Sequence, residues 1–435
     1  MNEFSSQAGH RAWLVSQSQL PQGFRVGTRK FAFDSVELKK ASSMTLTVIA
    51  LNEPTEAFSC LFTTNSFPGA PILVGREVAA SGKIGAILVN NKISNVCAPD
   101  GVEDCRATCD SLAELLEFQS TEILPGSTGV IGWKLPVPEI LEQLPAAVAD
   151  LQATSILPAA EGIMTTDLYP KVRSQNVGDA RVVGIAKGAG MIEPNLATML
   201  VYLLTDAIIA KDELDAMFRT AVRSSFNRIT IDSDQSTSDI AAVLSSGTVA
   251  VPDMDRFQSA LNQVCQDLAL DLVRNGEGVK HVVQIAVREA PDSEAAHRLA
   301  KDVANSPLVQ TAICGNDPNI GRLLMALGKN MESVCPEYDV SNCQVRIGGR
   351  IVFENGACIV NGEVESQLSE YLKSAALYET QAPDAEGKFH PPVNWPTHER
   401  LVEIEIILGV GDGSAIVWGS DRTHEYITEN ADYRS

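Results

Sequence analysis

Residues 187–200 read KGAGMIEPNLATML, and this stretch organises the rest of the chain. Gly188 and Gly190 permit backbone angles with positive φ and the close approach of another segment. Pro194 fixes its own φ and biases the residue before it away from helix. Thr198 therefore stands where a constrained turn meets an apolar run. A hydroxyl there is a candidate nucleophile, and cleavage before it would give it an attached amine as base. The alternative is an ordinary threonine at a strand edge.

Length, composition and charge narrow the class of protein. The 435 residues are enough for two or three domains, and a hydrophobic content of 45% with mean hydropathy near zero predicts a soluble globular protein. The formal charge of −21 argues against a nucleic-acid partner, because phosphates would be repelled. Met1 to His10 show no signal or transit peptide. The longest apolar run, Met199 to Leu204, is too short to span a membrane. We expect a cytoplasmic protein with no membrane partner.

Nine cysteines are scattered along the chain without a CxxC pair, so reduced thiols are expected. The closest set is Cys97, Cys105 and Cys109, near Asp100 and Asp104. Its spacing fits no common zinc pattern. The sequence therefore predicts no metal.

The pattern of apolar runs and turns predicts the α/β class, with strands grouped rather than strictly alternating with helices. Layered sheets flanked by helices fit this order. The clearest element is a helix over Asp253 to Arg274, which has apolar residues on one face. The same patterns give five further local predictions: a mobile arm over 1–20, strands over 71–75, 162–167 and 226–232, and a helix over 236–244.

Gly126 to Gly132 contain three glycines and predict a turn. Acyl transfer builds an oxyanion that needs fixed hydrogen-bond donors. The hydroxyl of Thr128 and the unshielded N–H of Gly129 can supply two. The alternative is an ordinary glycine-rich turn.

Two charged residues also stand next to glycines. Lys187 can pair with a substrate carboxylate and would depress the pKa of a nearby amine. The alternative is a solvated lysine before a turn. Glu277 lies between Gly276 and Gly278, where a glutamate is normally a solvated turn residue.

The string 187–200 resembles the self-cleavage motif of the ornithine acetyltransferases (bifunctional glutamate N-acetyltransferases), whose precursors split before this threonine. Residues 126–132, 162–168, 275–278 and 429–435 match further motifs of that family, so the resemblance covers almost the whole chain. It implies an aminopeptidase/ornithine acetyltransferase-like fold formed by two self-cleaved pieces. Here these would be an N-terminal (alpha) chain, 1–197, and a C-terminal (beta) chain, 198–435.

The resemblance also implies the reaction. The family moves an acetyl group from N-acetylornithine to glutamate in arginine biosynthesis, here through acetyl-Thr198 after cleavage between Ala197 and Thr198. No metal or dissociable cofactor is implied, and acetyl-CoA as a second donor is left open. The implied partners are the two small-molecule substrates and the chain's own cleaved half, in a heterotetramer of two alpha and two beta chains.

Individual roles follow from the same motifs. The resemblance assigns the oxyanion hole to Thr128 and Gly129. It assigns substrate contacts to Thr165, Lys187, Thr198, Glu277, Asn430 and Ser435. If 162–167 form a strand, only one of Thr165 and Thr166 faces the site, because successive residues point to opposite faces.

One stretch departs from the family. Residues 90–101 read NNKISNVCAPDG where the family has a string of the type NSGNANACTG, and Pro99 stiffens the turn. This departure leaves substrate preference open. The alternatives are a diverged paralogue with another acyl donor or acceptor, an N-terminal-nucleophile amidase, and a catalytically dead paralogue.

Overall fold

The computed structural model describes residues 2–35, 37, 40–193 and 199–431. The chain divides into two units. The two-sheet unit comprises Arg11–Asn227 and Gln235–Leu272, and the one-sheet unit comprises Met1–His10, Arg228–Asp234 and Val273–Ser435. Each is described by itself.

The two-sheet unit contains nine of the strands in the described part of the chain, together with seven helices. Its strands are β1 (Phe24–Ser35), β2 (Lys40–Thr55), β3 (Phe58–Phe62), β4 (Ile84–Asn90), β5 (Ile123–Ser127), β6 (Lys171–Val177), β7 (Ala180–Lys187), β8 (Leu200–Ala207) and β9 (Ile240–Val249). Its helices are α1 (Gln7–Gln17, which begins in the other unit), α2 (Ala70–Ser81), α3 (Gly101–Leu116), α4 (Val137–Ala149), α5 (Leu157–Gly162), α6 (Lys211–Ser224) and α7 (Met254–Arg274, which ends in the other unit).

The two sheets stack face to face. One has the order β1-β2-β4-β5 and the other β3-β9-β8-β7-β6. Their inner faces share one apolar core, which includes Ile49 and Ile87 from the first sheet and Ile185, Tyr202 and Leu244 from the second. Strand β8 is buried along its whole length, which is why its sequence is a continuous apolar run rather than an alternating one.

Helices cover the outer face of each sheet. Helices α3 and α4 share an apolar core with the outer face of the first sheet. On the second sheet, Gly184 of β7 lets α7 approach, because an added Cβ would lie 2.8 Å from a Leu268 methyl carbon. Val264 and Leu268 belong to the fully buried stripe predicted for this helix. The order helix, sheet, sheet, helix confirms the predicted layered α/β class.

The one-sheet unit is built on a mixed six-stranded sheet with the order β13-β12-β11-β14-β10-β15. Its strands are β10 (Val282–Ala290), β11 (Gln344–Ile347), β12 (Arg350–Glu354), β13 (Ala357–Cys358), β14 (Val402–Ile407) and β15 (Gly413–Ser420). Its helices are α8 (Ser293–Ala304), α9 (Pro307–Cys314), α10 (Ile320–Gly328), α11 (Met331–Val334), α12 (Gly362–Ala375) and α13 (His424–Ala431). A separate apolar core lies between this sheet and its helices.

Five local predictions from the sequence were wrong. Residues 1–20 are not an arm: α1 is a regular helix, and the backbone N–H of Phe4 binds the Thr397 carbonyl at 2.9 Å. Residues 71–75 lie in α2, whose first turn accepts Pro71. Residues 163–167, after the end of α5, form turns and bends. Residues 226–228 form a short 3-10 helix, and within 226–232 only Ile229 makes a β-bridge. Residues 240–249 form strand β9 where the sequence predicted a helix over 236–244.

Candidate active site

The structure separates the predicted site residues into three sets. Thr128, Gly129, Thr165 and Lys187 lie in the two-sheet unit, and Glu277 and Asn430 lie in the one-sheet unit. The predicted nucleophile and cleavage junction, Ala197 and Thr198, and the predicted contact Ser435 lie outside the described residues.

Lys187 ends strand β7 and is paired directly with the first residue of β8. In the register of the second sheet, Lys187 is opposite Leu200, and Leu200 is opposite Ile240 of β9. The N–H of Ile240 also donates to the Met199 carbonyl at 2.9 Å. Strand β8, which begins shortly after the predicted nucleophile in the sequence, therefore lies between β7 and β9 in the sheet. Its first residue is flanked by Lys187 of β7 and Ile240 of β9.

The carboxylate of Asp167 accepts hydrogen bonds from two of the predicted site segments. Its Oδ1 accepts a hydrogen bond from the N–H of Gly188 at 2.9 Å, and its Oδ2 accepts one from the N–H of Thr165 at 3.0 Å. The Nζ of Lys171 also donates to Oδ1, and both side chains of this ion pair are fully buried. Burial alone would raise the pKa of Asp167, but the charges of Lys171 and Lys187 and these hydrogen bonds hold that pKa below its usual range.

The sequence reasoning did not give Asp167 or Lys171 a role. Their spacing of four residues was a visible signal, since it resembles a helical ion pair. The pair instead spans a turn and the first residue of β6. The feature that distinguishes this ion pair is its complete burial, which cannot be read from the sequence.

The prediction of a strand around Thr165 was wrong, so the alternation argument does not apply. Helix α5 ends at Gly162, and Thr165 and Thr166 follow in a bend. Thr165 is exposed and Thr166 is half-buried. Thr165 is tied by its backbone to Asp167, and through Asp167 to the Gly188 turn.

Thr128 and Gly129 follow the end of strand β5. The N–H of Thr128 donates to the Asn90 carbonyl at 3.1 Å. Gly129 has φ of +127°, and an added Cβ would lie 2.1 Å from the carbonyl carbon of Lys92, so only glycine fits. Among the residues that the structure describes, neither the Thr128 hydroxyl nor the Gly129 N–H has a hydrogen-bond partner. Two donors on adjacent residues are thus left without a partner in the described part of the chain.

Two adjacent asparagines, which the sequence reasoning left without a role, connect the Thr128 turn to the Thr165 bend. The Oδ1 of Asn90 accepts from the Ser127 hydroxyl at 2.5 Å. The Nδ2 of Asn91 donates to the Met164 carbonyl at 3.1 Å. Both asparagines open the stretch 90–101 that departs from the family string. The positions that fix the site geometry are therefore at the start of that stretch, ahead of Pro99.

A buried carboxyl group also lies beside the start of β8. Asp239 directly precedes Ile240, is 3% exposed, and its Oδ2 has no hydrogen-bond partner within the described ranges. Burial raises the pKa of this carboxyl well above its ordinary value, although a hydrogen bond from Ser236 and the charge of Lys187 oppose the shift. Because 236–244 was predicted as a helix, the sequence reasoning did not identify Asp239 as a buried carboxyl group beside β8.

In the one-sheet unit, Glu277 and Asn430 are brought together. The Nδ2 of Asn430 donates to Oε2 of Glu277 at 2.8 Å. Glu277 is 8% exposed, so it is not the solvated turn residue of the alternative interpretation. Gly278 has positive φ, and an added Cβ would lie 2.2 Å from the Tyr426 backbone nitrogen. The turn after α7 therefore contacts helix α13 at Gly278. Any larger residue at this position would force the backbone at Tyr426 to move.

The described residues show neither a metal site nor a membrane-spanning helix. No group of three or more histidine, cysteine or acidic side chains in the described ranges is arranged to hold a metal ion. All nine cysteines are free thiols, and Cys105 and Cys109 are buried. No helix within the described part of the chain is long and apolar enough to cross a membrane.

Comparisons with known proteins agree with the motifs. Residues 30–435 match the model of the ArgJ family. The chain is 38% identical over 388 residues to the arginine biosynthesis bifunctional protein ArgJ of Gluconobacter oxydans (strain 621H), covering 86% of this chain and 84% of that protein. It is 35% identical over 428 residues to the protein of the same name from Nitratidesulfovibrio vulgaris, covering 96% of this chain and 100% of that protein.

Two solved structures were also matched. A crystal structure of arginine biosynthesis bifunctional protein ArgJ from Bacillus halodurans is 30% identical, with a TM-score of 0.44, and covers 53% of this chain and 98% of that one. The crystal structure of ornithine acetyltransferase from Mycobacterium tuberculosis, complexed with ornithine, is 26% identical, with a TM-score of 0.33. The match covers 42% of this chain and 97% of that one.

The layered fold and the sequence relatives define the chain as an enzyme of the arginine biosynthesis acyltransferase class. More particularly, it belongs to the ArgJ family.

Proposed function

We propose that the chain cleaves itself between Ala197 and Thr198 and then uses Thr198 to carry an acetyl group from N-acetylornithine to glutamate. The observation that supports this most directly is the pair of unengaged donors on Thr128 and Gly129. Acyl transfer to a hydroxyl passes through an oxyanion, and two fixed donors are what such a transition state needs. The two donors are adjacent, and Thr128 as a whole residue is only 8% exposed, so both are held in place by the surrounding turn.

Self-cleavage uses the hydroxyl once as an internal nucleophile. Oγ of Thr198 attacks the Ala197 carbonyl carbon, the C–N bond breaks, and the hydroxyl proton passes to the nitrogen, which leaves an ester. Water then hydrolyses the ester and releases the carboxylate of Ala197. The products are the pieces 1–197 and 198–435, and the second begins with a free α-amine.

The same hydroxyl then serves in transfer. The α-amine has an ordinary pKa near ~8, so a useful fraction is the free base near neutral pH. It accepts the hydroxyl proton as Oγ attacks the acetyl carbonyl of N-acetylornithine. Ornithine leaves with that proton, and the amino group of glutamate attacks the acetyl-Thr198 ester. The acetyl group travels on the protein, so no dissociable cofactor is required; acetyl-CoA is a candidate second donor.

The remaining predicted residues have binding roles in this proposal. Lys187 pairs with a substrate carboxylate, and the Asp167 network fixes the turn that follows it. Thr165 is held to the same carboxylate through its backbone. Glu277 and Asn430, already joined at 2.8 Å, bind substrate polar groups. Ser435 is proposed as a contact from the family motif alone.

The assembly and location are also proposals. We infer that the cleaved halves remain associated as a heterotetramer of two alpha and two beta chains. We also infer a cytoplasmic location, because both substrates are small polar metabolites. Size-exclusion chromatography with light scattering on the cleaved protein tests the assembly.

Intact-mass analysis with an N-acetylornithine pulse tests the function. We expect two polypeptides, with the mass of one acetyl group added to the piece that begins at Thr198, and loss of that mass when glutamate is added. Acetyl loss without glutamate would instead identify a hydrolase. A single uncut chain that never gains an acetyl group would identify a dead paralogue.

A further inference from the structure

Asp239 has a buried carboxyl oxygen that the described residues leave without a hydrogen bond. The residue is 3% exposed, and its Oδ2 has no partner in the ranges that the structure describes. A hydrogen bond from the side chain of Ser236 reaches the carboxyl group, but Oδ2 stays unpaired. Buried polar atoms are almost always paired, so this oxygen requires an explanation.

The segment that contains Asp239 is joined to the self-cleavage motif on both sides of the predicted junction. Before the junction, Ile192 forms an antiparallel bridge with Gln235. After the junction, the Met199 carbonyl accepts a hydrogen bond from the N–H of Ile240 at 2.9 Å. The unpaired carboxyl oxygen therefore belongs to a segment that contacts the motif both before and after the bond to be cut.

The loop after β3 holds this segment in place. The N–H of Thr63 donates to the Asp239 carbonyl at 3.0 Å, and the Thr63 hydroxyl donates to the Ser236 carbonyl at 2.7 Å. The Nδ2 of Asn65 donates to the Gln235 carbonyl at 2.9 Å. The side chain of Asp239 is thus carried by a fixed backbone, which is what an orienting group requires.

The charged groups around Asp239 do not pair with its Oδ2. Burial raises the pKa of Asp239 well above its ordinary value, and the charge of Lys187 on β7 opposes that shift. Arg76 of α2 donates to a backbone carbonyl of the loop after β3 at 2.8 Å. Asp167, whose pKa the charge of Lys187 lowers, is already paired with Lys171. Among the described residues, none of these groups gives Oδ2 a hydrogen bond.

We propose that Asp239 is the positioning residue for the α-amine that self-cleavage creates on Thr198. The inference rests on the proposed function and adds the group that orients its base. Before cleavage, the nitrogen of Thr198 belongs to the peptide bond with Ala197. Cleavage turns this nitrogen into an amine with additional N–H donors, and one of them supplies the partner that Oδ2 of Asp239 lacks.

The hydrogen bond to Asp239 fixes the direction of the amine. An amine has a single lone pair, whose direction depends on where its N–H bonds point. With one N–H bound to Oδ2, the lone pair is directed at the Thr198 hydroxyl, from which it takes the proton during attack. The carboxyl group stabilises the ammonium that forms, and the same proton then passes to the nitrogen of the leaving ornithine. Nucleophile, base and orienting group together make the arrangement that activates a hydroxyl.

Asp239→Asn tests this role, because the change keeps the shape of the side chain and removes its charge. The matched control is Asp212→Asn, which alters an exposed aspartate on α6 of the same unit. Intact mass reports cleavage, and thermal melting reports the fold. Steady-state kinetics with N-acetylornithine and glutamate over a range of pH reports transfer.

We expect Asp239→Asn to be cut into both pieces, since the partner of Asp239 arises only after cleavage. Its kcat should fall about ten- to hundredfold, the loss typical of a misplaced catalytic group, with little change in KM. The acid limb of kcat/KM should move to lower pH, because the variant lacks the carboxylate that raises the pKa of the nearby amine. Asp212→Asn should match the parent in every measurement.

Failure of this role can be distinguished from failure of the proposed function. The role of Asp239 is overturned if Asp239→Asn turns over normally, loses activity without a shift of the acid limb, or folds but is not cut. In each case the parent still transfers acetyl groups. A parent protein that is never cut and never forms acetyl-Thr198 would overturn the proposed function, and the role of Asp239 with it.

Ser236→Ala decides the matter if Asp239→Asn fails to fold. This change removes the hydrogen bond that directs the Asp239 carboxyl group, and it alters a side chain that is only half-buried. The variant should be cut and should lose about three- to tenfold in kcat, as expected for one hydrogen bond. An unchanged kcat would show that the orientation of this carboxyl group does not matter to transfer.

Discussion

The backbone N–H of Gly188 donates a hydrogen bond to Oδ1 of Asp167 at 2.9 Å, across 21 positions of sequence. This contact joins the turn of the proposed cleavage motif to the bend that carries Thr165. The Asp167 carboxylate is buried and paired with Lys171. The geometry of two motifs in the two-sheet unit therefore depends on one ionised side chain.

Asp167→Asn should destabilise the protein at neutral pH by about 3–5 kcal/mol, because it leaves the Lys171 ammonium buried without its partner. The folded-state pKa of Asp167 lies below its ordinary value. Its contribution to stability is therefore complete above the unfolded-state pKa of about 4 and is lost as the pH falls toward the folded-state value. Urea unfolding of the parent and the variant should show a difference that is largest near neutrality and shrinks in acid.

The double variant Asp167→Asn with Lys171→Met serves as the control, since it removes both buried charges. It should recover part of the lost stability. A difference between parent and Asp167→Asn that does not vary with pH would contradict the assignment of an ionised carboxylate.

Thr198→Ala should yield one uncut chain without transferase activity, because one hydroxyl serves both steps. Thr198→Ser should retain some cleavage. Intact mass and N-terminal sequencing distinguish these cases: in the parent, a new N-terminus at Thr198 is expected. Active, folded parent protein with only its original N-terminus would rule out self-cleavage.

Thr128→Ala should lower kcat about 10²- to 10³-fold, the loss typical for one oxyanion donor, with little change in donor binding. The loss should not be total, since the Gly129 N–H remains. Thr121→Ala, an exposed threonine just before β5, is the matched control and should behave as the parent. Ser127→Ala should act mainly on thermal stability, because its hydroxyl binds Asn90. Normal turnover by Thr128→Ala would place the oxyanion donors elsewhere.

Gly129→Ala should damage this turn more than Thr128→Ala does. The added Cβ would lie 2.1 Å from the carbonyl carbon of Lys92, and alanine disfavours a φ of +127°. We expect a lower melting temperature and near-complete loss of transfer. Gly132→Ala provides the comparison, since it also has positive φ but nothing lies within 4 Å of its added Cβ. Equal melting temperatures for both variants would show that the Lys92 contact is unimportant.

Lys187→Ala should raise KM about ten- to hundredfold by removing a charged partner of the substrate carboxylate. The fold should persist, because Lys187 is only half-buried. Lys83→Ala, an exposed lysine of the same unit, should leave kinetics unchanged. Unchanged KM in Lys187→Ala would support the solvated-lysine interpretation.

Several features of the protein were determined by local sequence. The apolar stripe of α7 keeps a helical period over about four turns, so its helix was predictable. The turn at Gly129 was predictable because glycine-rich segments accept positive φ. The motif at 187–200 pointed to the family because its resemblance to the family's string lies in contiguous residues, which can be read without the fold.

The tertiary structure decided the rest. Strand β9 was predicted as a helix because its first six residues are buried on both faces, and the apolar run 240–244 carries no alternation that distinguishes a strand from a helix. The partners of Asp167, Asn90 and Glu277 are 21, 37 and 153 positions away in the sequence. Burial, which raises the pKa of the Asp239 carboxyl, is a property of packing. No local pattern reports it, because the same carboxylate on an exposed helix would be an ordinary solvated charge.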